Sequence, residues 1–223
     1  MSSGGVALSL YAARRADAII VKSANLAAVL PASARAKVTV MPSGIDLTVF
    51  RPMDRDACRA ELGWNGQRFR VLFASSSGDP VKRPQLAREA VALLVGRGIP
   101  VELHEMNGIP HADVPRWLNA SDCVLLTSSR EGSPNIIREA LACNVPAVSV
   151  DVGDTRERLE GVEGCYLAAG TAEDLADKLA RVWQARARVD GRSRARTFDL
   201  ASTAAALIGI YERICVGRTV SAA

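Results

Sequence analysis

Cys123-Val124-Leu125-Leu126-Thr127-Ser128-Ser129-Arg130-Glu131-Gly132-Ser133-Pro134-Asn135-Ile136-Ile137-Arg138-Glu139-Ala140-Leu141-Ala142 is the stretch whose reading decides the fold. Its first four residues are a short apolar run of the kind that forms a strand buried on both faces. Gly132 loosens the turn that follows, Ser133 is placed to cap a helix, and Pro134 suits the first helical position. A strand, a glycine-containing turn and a helix start in that order aim free backbone N–H groups and a positive dipole end at one point. Such a point suits a phosphate. Glu131 in the turn and Glu139 on the helix frame it, and Glu139, two residues after Ile137, is expected to point away from the inward-packing face of the helix.

The same alternation extends in both directions. Strands are expected at 70–74, 101–104, 123–126, 147–150 and 164–167, with helices at 84–95, 113–119, 134–143, 155–159 and 172–186. Short apolar strands alternating with amphipathic helices imply βαβ units. The fold class is therefore α/β, a Rossmann-like parallel sheet flanked by helices. Upstream, helices are expected at 5–15, 24–30 and 54–62, the last closed by Gly63. Strands fall at 18–21 and 38–41, with a turn in which Gly44 is free to take positive φ. Segment 185–196 is basic and poor in large apolar residues, so it reads as a surface connection. A final helix spans about 200–214. Residues 1–35 fit the sheet poorly and are read as the end of a preceding domain, 36–198 as the Rossmann-like domain, and 199–223 as a terminal helix and tail.

Composition narrows the function classes. In 223 residues, 48% are apolar and 23% charged, so the chain can bury a sizeable core. The net charge of +4 is spread along the chain, and only 4% of residues are aromatic. A solvated surface accounts for that charge better than nucleic acid, and few rings are available for base stacking. The five cysteines are odd in number and form no C-x-x-C pair, which argues for thiols in a reducing compartment against both a disulfide framework and a zinc site. No apolar run reaches membrane-span length, and the expected location is cytoplasmic. Asp122, Asp151 and Asp154 lack sensible metal-ligand spacing, so no metal or other cofactor is expected.

With the elements placed, a resemblance emerges. Val40-Met41-Pro42-Ser43-Gly44-Ile45-Asp46 through Phe50-Arg51-Pro52 resembles the "IPNGVD…F.P" segment of retaining glycosyltransferases of family four. Glu131 through Ala142 matches that family's E-x7-E signature with its flanks, and Val145 through Asp154 resembles the "PVVATDVGG" segment that follows. Phe198 through Glu212, with Tyr211, is similar to its terminal helix. The resemblance covers most of residues 17–213. It implies the GT-B architecture, in which an N-terminal domain binds the acceptor and a C-terminal domain binds the nucleotide-sugar donor. The chain then corresponds to the donor domain with the tail end of the acceptor domain.

By this resemblance Glu139 accepts hydrogen bonds from ribose hydroxyls, and Glu131 contacts the donor sugar. Gly132, Ser133, Pro134, Asn135 and Ile136 surround the diphosphate, four of them offering backbone N–H groups. Lys82 aligns with the lysine that neutralises the departing diphosphate. The loop before it includes Ser76 and Ser77, with Ser76 where the family often has arginine. Arg83 stands where the family often has glycine and partly compensates for that arginine. Met106, Asn107, Gly108 and Ile109 follow a strand end and form either a base pocket or an ordinary loop. His104 and His111 fall too late in the sequence to replace the family's N-domain histidine.

The implied activity is hexosyl transfer, with retention, from a UDP- or GDP-sugar to a saccharide or lipid-linked acceptor. That chemistry fits polysaccharide biosynthesis, including peripheral attachment at the inner membrane face. The alternatives are a nucleotide-sugar binding module without turnover and a GT-B relative such as an epimerase. A second copy of the chain is expected to cover terminal helices left without the acceptor domain, unless the terminus rearranges.

Overall fold

The computed structural model describes residues 3–74 and 79–221. The chain divides into two compact units: residues 1–44 together with 198–223, and residues 45–197.

In the first unit, strands β1 (Ile19–Val21) and β2 (Val38–Val40) pair in parallel, Ile19 opposite Val38 and Val21 opposite Val40. Helices α1 (Ser3–Arg15), α2 (Ala24–Ala28) and α3 (Ala32–Arg35) precede β2, and the long α11 (Leu200–Ser221) closes the chain. Ser23 caps α2 by accepting from the Leu26 amide. β2, grouped with residues 36–198 in the sequence reading, pairs among the described residues with β1, and the packing boundary falls after Gly44. Gly44 does not take positive φ. A Cβ there would lie 2.7 Å from the Leu200 Cα, so close approach of the backbone, not turn geometry, excludes a side chain. The terminal helix also runs past its expected end, to Ser221. Among the described residues no helix is long and apolar enough to cross a membrane.

The second unit is built on five parallel strands in the order β4 (Val101–Glu105), β3 (Phe69–Phe73), β5 (Cys123–Leu126), β6 (Ala147–Val150), β7 (Tyr166–Ala168). Burial follows position in the sheet. Every residue of β3, β5 and β6 is buried, whereas the edge strands β4 and β7 are partly exposed. Alternation along the strands sorts the core into two layers. Phe69, Val71 and Phe73 face α5 (Pro84–Gly96) and α9 (Ala172–Ala185), where Leu94, Leu175 and Leu179 are fully buried. Leu72 and Leu126 face the other layer. There α6 (Val114–Ala120) packs against β3, and α7 (Asn135–Ala142) lies on β5 and β6. Helix α4 (Arg55–Glu61) packs on α6, is capped by Asp54, and is followed by Gly63 at φ 69°.

Segment 185–196 departs from its reading as a surface connection. Val189, Gly191 and Ala195 are buried, and α10 (Gly191–Ala195) packs on α7 so closely that a Cβ on Gly191 would sit 2.7 Å from the Leu141 carbonyl oxygen. Its arginines act as staples. Arg192 donates to the carbonyls of Leu47 (2.7 Å), Phe50 (2.8 Å) and Ala142 (2.9 Å). Arg188 bonds the carbonyls of Ser121 and Asn119, and burial pulls its pKa down to about 10. The high arginine content marks a solvated surface only in part, because several guanidinium groups close the ends of helices from inside.

Burial also accounts for the thiols. Cys58, Cys123 and Cys143 lie in the core. Desolvation raises Cys143 to about 12 and Cys165 to about 11, so neither is a thiolate at neutral pH.

Candidate functional site

In an open α/β sheet, ligands collect at the carboxyl ends of the strands where successive connections leave in opposite directions. Here that place lies between β3 and β5. After β3 the chain runs through α5 to β4 on one side, and β5 lies on the other. Two loops meet there. A one-turn 3-10 helix, Pro80–Lys82, is capped by Asp79, whose carboxylate accepts from the Val81 amide at 2.9 Å. Loop 127–134 follows β5. The Thr127 hydroxyl donates to the Lys82 carbonyl at 2.6 Å, and the Ser129 amide donates to the Val81 carbonyl at 2.8 Å. These bonds clamp the two loops together and set the height of Lys82 above the sheet.

Between them is an open depression of about 340 Å3. Its lining includes Lys82, Met106, Glu131, Asn135 and Glu139. Lys82 Nζ lies 2.7 Å from Glu131 Oε1, both side chains partly buried. Ser133, Pro134 and Ile136 also line the depression. Helix α7 starts at its edge with Pro134 in the cap position and no side-chain cap, so no side-chain oxygen competes for the first-turn amides of Asn135 and Ile136.

Ser133 does not cap α7. Its hydroxyl donates to Asp154 Oδ2 at 2.6 Å and accepts from Arg138 Nη1 at 2.9 Å. Asp154 also accepts from Arg158 Nε at 2.9 Å. Arg138 and Asp154 are both buried, and the Arg138 pKa is lowered chiefly by that burial. This charged network, absent from the sequence reading, fixes the loop from beneath. Gly153 completes the support. At φ 61° its Cα faces the loop backbone, and a Cβ would meet the Gly132 carbonyl oxygen at 2.8 Å and that of Glu131 at 3.1 Å.

Glu139 is not on a solvent face. Every residue from Ile136 to Ala142 is buried, because α7 is enclosed by β5, β6, α6, α8 (Thr155–Leu159) and α10. The carboxylate reaches the depression from a side chain with little other exposure. Desolvation raises its pKa, opposed by His111 and Arg138. His111 Nε2 stands 3.7 Å from Glu139 Oε1, and its ring meets Phe50 edge-on at 5.5 Å. Sequence reasoning had set His111 aside. The 3-10 turn His111–Asp113 ahead of α6 carries it across to α7.

The remaining expected residues separate. Met106 reaches the depression, whereas Asn107 and Gly108 are exposed and, with Ile109, lie outside its lining. Arg83 turns away. It takes a left-handed backbone, φ 50°, the conformation that favours glycine, and its Nε donates to the Thr127 carbonyl at 2.5 Å. Its guanidinium therefore does not join Lys82. Ser76 and Ser77 lie outside the described residues.

Comparison with known proteins identifies the family and the fold. The family model described as "Glycosyl transferases group 1" matches residues 67–185, more than half of the chain. The D-inositol 3-phosphate glycosyltransferase of Mycobacterium tuberculosis is 31% identical over 212 residues, covering 80% of this chain and 44% of the relative. The chain thus spans less than half the length of that curated relative. Two solved structures share the fold. The sucrose-phosphate synthase of Thermosynechococcus elongatus superposes with a TM-score of 0.79 at 20% identity over 97% of this chain and 63% of its own. Anabaena HepE, in complex with UDP and glucose, gives 0.77 at 19% identity over 95% and 67%. The α/β fold with its five parallel strands is thus the one seen in GT-B glycosyltransferase structures, and by its family match the chain belongs to the group 1 glycosyl transferases.

Proposed function

We propose that this chain is the donor-binding part of a retaining hexosyltransferase that uses a UDP- or GDP-sugar and acts on a saccharide or lipid-linked acceptor. The observation that carries the reading is the convergence of Lys82, Glu131, the uncapped start of α7 and the half-hidden Glu139 on one depression at the sheet's switch point. A diphosphate seated there takes the Lys82 ammonium and the first-turn amides, which hold the charge that grows as the sugar–phosphate bond breaks. Glu131, released from Lys82, turns to sugar hydroxyls. Glu139 accepts from the ribose, and Met106 borders the base. In this reading Glu131 orients the sugar and does not form a covalent bond to it, and the acceptor attacks from the face the diphosphate leaves. The lysine and helix dipole supply the positive charge, and the reading requires no divalent cation. The UDP and glucose held by HepE are ligands of the expected class.

Calorimetry tests the reading. UDP or GDP, and the matching nucleotide-sugar, should bind the wild-type chain and bind Lys82→Ala and Glu139→Ala at least about tenfold more weakly, the worth of one charge-assisted hydrogen bond. EDTA should leave the affinity unchanged. Undiminished binding by both variants would sink the reading. Transfer by this chain alone should be negligible, since it aligns with 44% of the length of a relative named for the activity. The exposed Leu8 and Tyr11 on α1, and Ile208 and Tyr211 on α11, fit coverage by a second copy, which light scattering should detect as a dimer.

A further inference from the structure

A second depression, of about 500 Å3, opens at the carboxyl ends of β5, β6 and β7 and shares no residue with the first. Adjacent residues of one turn serve the two: Lys82 lines the donor depression, and Arg83, splayed by its left-handed backbone, lines the other. Arg83 Nε is held by the Thr127 carbonyl, which leaves both Nη groups facing the opening beside Gly170. Arg156 lines the same depression. Asp151 engages Arg156 through Nε at 3.0 Å and Nη2 at 2.5 Å, leaving Nη1 available. The lining therefore carries two guanidinium groups against one carboxylate. At its floor is Ser128, 1% exposed, whose Oγ is buried and has no hydrogen-bond partner among the described residues. A buried hydroxyl left unpaired costs free energy, and it stays so only where something else completes it. Ser129, on the rim, adds a second hydroxyl.

We propose that this depression is a phosphoryl-binding subsite distinct from the donor site. Arg83 and Arg156 would grip the anion's oxygens, and the Ser128 hydroxyl would donate to it from below. The two Nη groups of Arg83 form a planar fork that matches a tetrahedral oxyanion in a way that a lone ammonium does not, and Arg156 adds the single donor Nη1. The wall formed by Leu167, Ala168 and Ala169 is apolar and small, which leaves room for an organic portion attached to the phosphoryl group. Two of the segments that line the subsite, the turn carrying Arg83 and the loop carrying Ser128, are those clamped by Thr127 and Ser129, while Asp151, Arg156 and the Leu167–Gly170 wall come from the loops after β6 and β7.

The test uses the full chain with two probes, inorganic phosphate and glucose 6-phosphate, titrated calorimetrically. Each is expected to bind wild type and to bind Arg156→Gln at least about tenfold more weakly, with Ser128→Ala weakened in the same direction. Arg156 is exposed, so its replacement should leave the melting temperature unchanged. Lys82→Ala should retain the part of the binding that Arg156→Gln removes, which separates this subsite from the donor depression whatever UDP or phosphate does there. Tighter binding of glucose 6-phosphate identifies a phosphomonoester as the occupant, and equal binding identifies free phosphate. Absence of binding by both probes, equal affinity in Arg156→Gln, or binding that vanishes only in Lys82→Ala overturns the proposal.

Discussion

Lys82 Nζ and Glu131 Oε1 stand 2.7 Å apart although 49 residues separate them in the chain. The pair joins the turn after β3 to the loop after β5, and each partner is the charge that a ligand must displace to reach the other.

That competition separates two kinds of ligand. Glu131→Gln frees the Lys82 ammonium from its carboxylate, so UDP should bind the variant at least as tightly as wild type. A UDP-sugar should bind it several-fold more weakly, because its hydroxyls lose a charged acceptor. Calorimetry with both ligands checks this, and parallel losses for UDP and UDP-sugar would show that Glu131 acts only through the loop.

Glu139 predicts a pH dependence of known sign. Burial raises its folded pKa, so the neutral form is favoured in the native state. The stabilisation that protonation brings is complete below the ordinary glutamate value and is lost as pH rises through the raised folded value. Glu139→Gln should therefore melt higher than wild type at pH 8, by about 2–4 °C for each kcal/mol recovered in a domain of this size. The difference should vanish near pH 4. Nucleotide affinity of the wild type should fall as pH drops through the same raised value. Thermal melts and titrations across that range read both effects.

Gly153→Ala should loosen the loop that carries Glu131. The left-handed backbone costs an alanine about 1–2 kcal/mol, and the contact with the Gly132 carbonyl adds to it. Urea denaturation should show the lower stability, and donor affinity should fall with it although residue 153 is outside the donor depression.

Arg192→Ala strands three carbonyls, those of Leu47, Phe50 and Ala142. A loss of about 2–4 kcal/mol in urea unfolding is expected, since buried acceptors lose a charged donor. Arg192→Lys should recover only part of it, because one ammonium cannot span three acceptors as a guanidinium fork does.

Much of this was legible in local pattern. The runs 123–126 and 147–150 form strands with the expected bounds, and the helix after Pro134 begins within one residue of its expected start. Other residues misled for identifiable reasons. Ser133 has the chemistry of a cap, but buried Asp154 and Arg138 compete for its hydroxyl. The arginines of 185–196 read as solvated because charge is normally exposed, yet backbone carbonyls at the ends of other elements receive them.

The order of residues along the chain determined which segments coil and which extend, because hydrophobic period, turn residues and caps act within a few positions of one another. It also determined that a helix start and two glutamates lie near a strand end. Only the tertiary structure decided which way each charge faces. Glu139 is buried because α7 is enclosed on every side, His111 reaches it from another element, and Lys82 and Arg83 part to different depressions through one left-handed residue. Those outcomes rest on packing between segments far apart in sequence, whose steric and electrostatic demands no local pattern records.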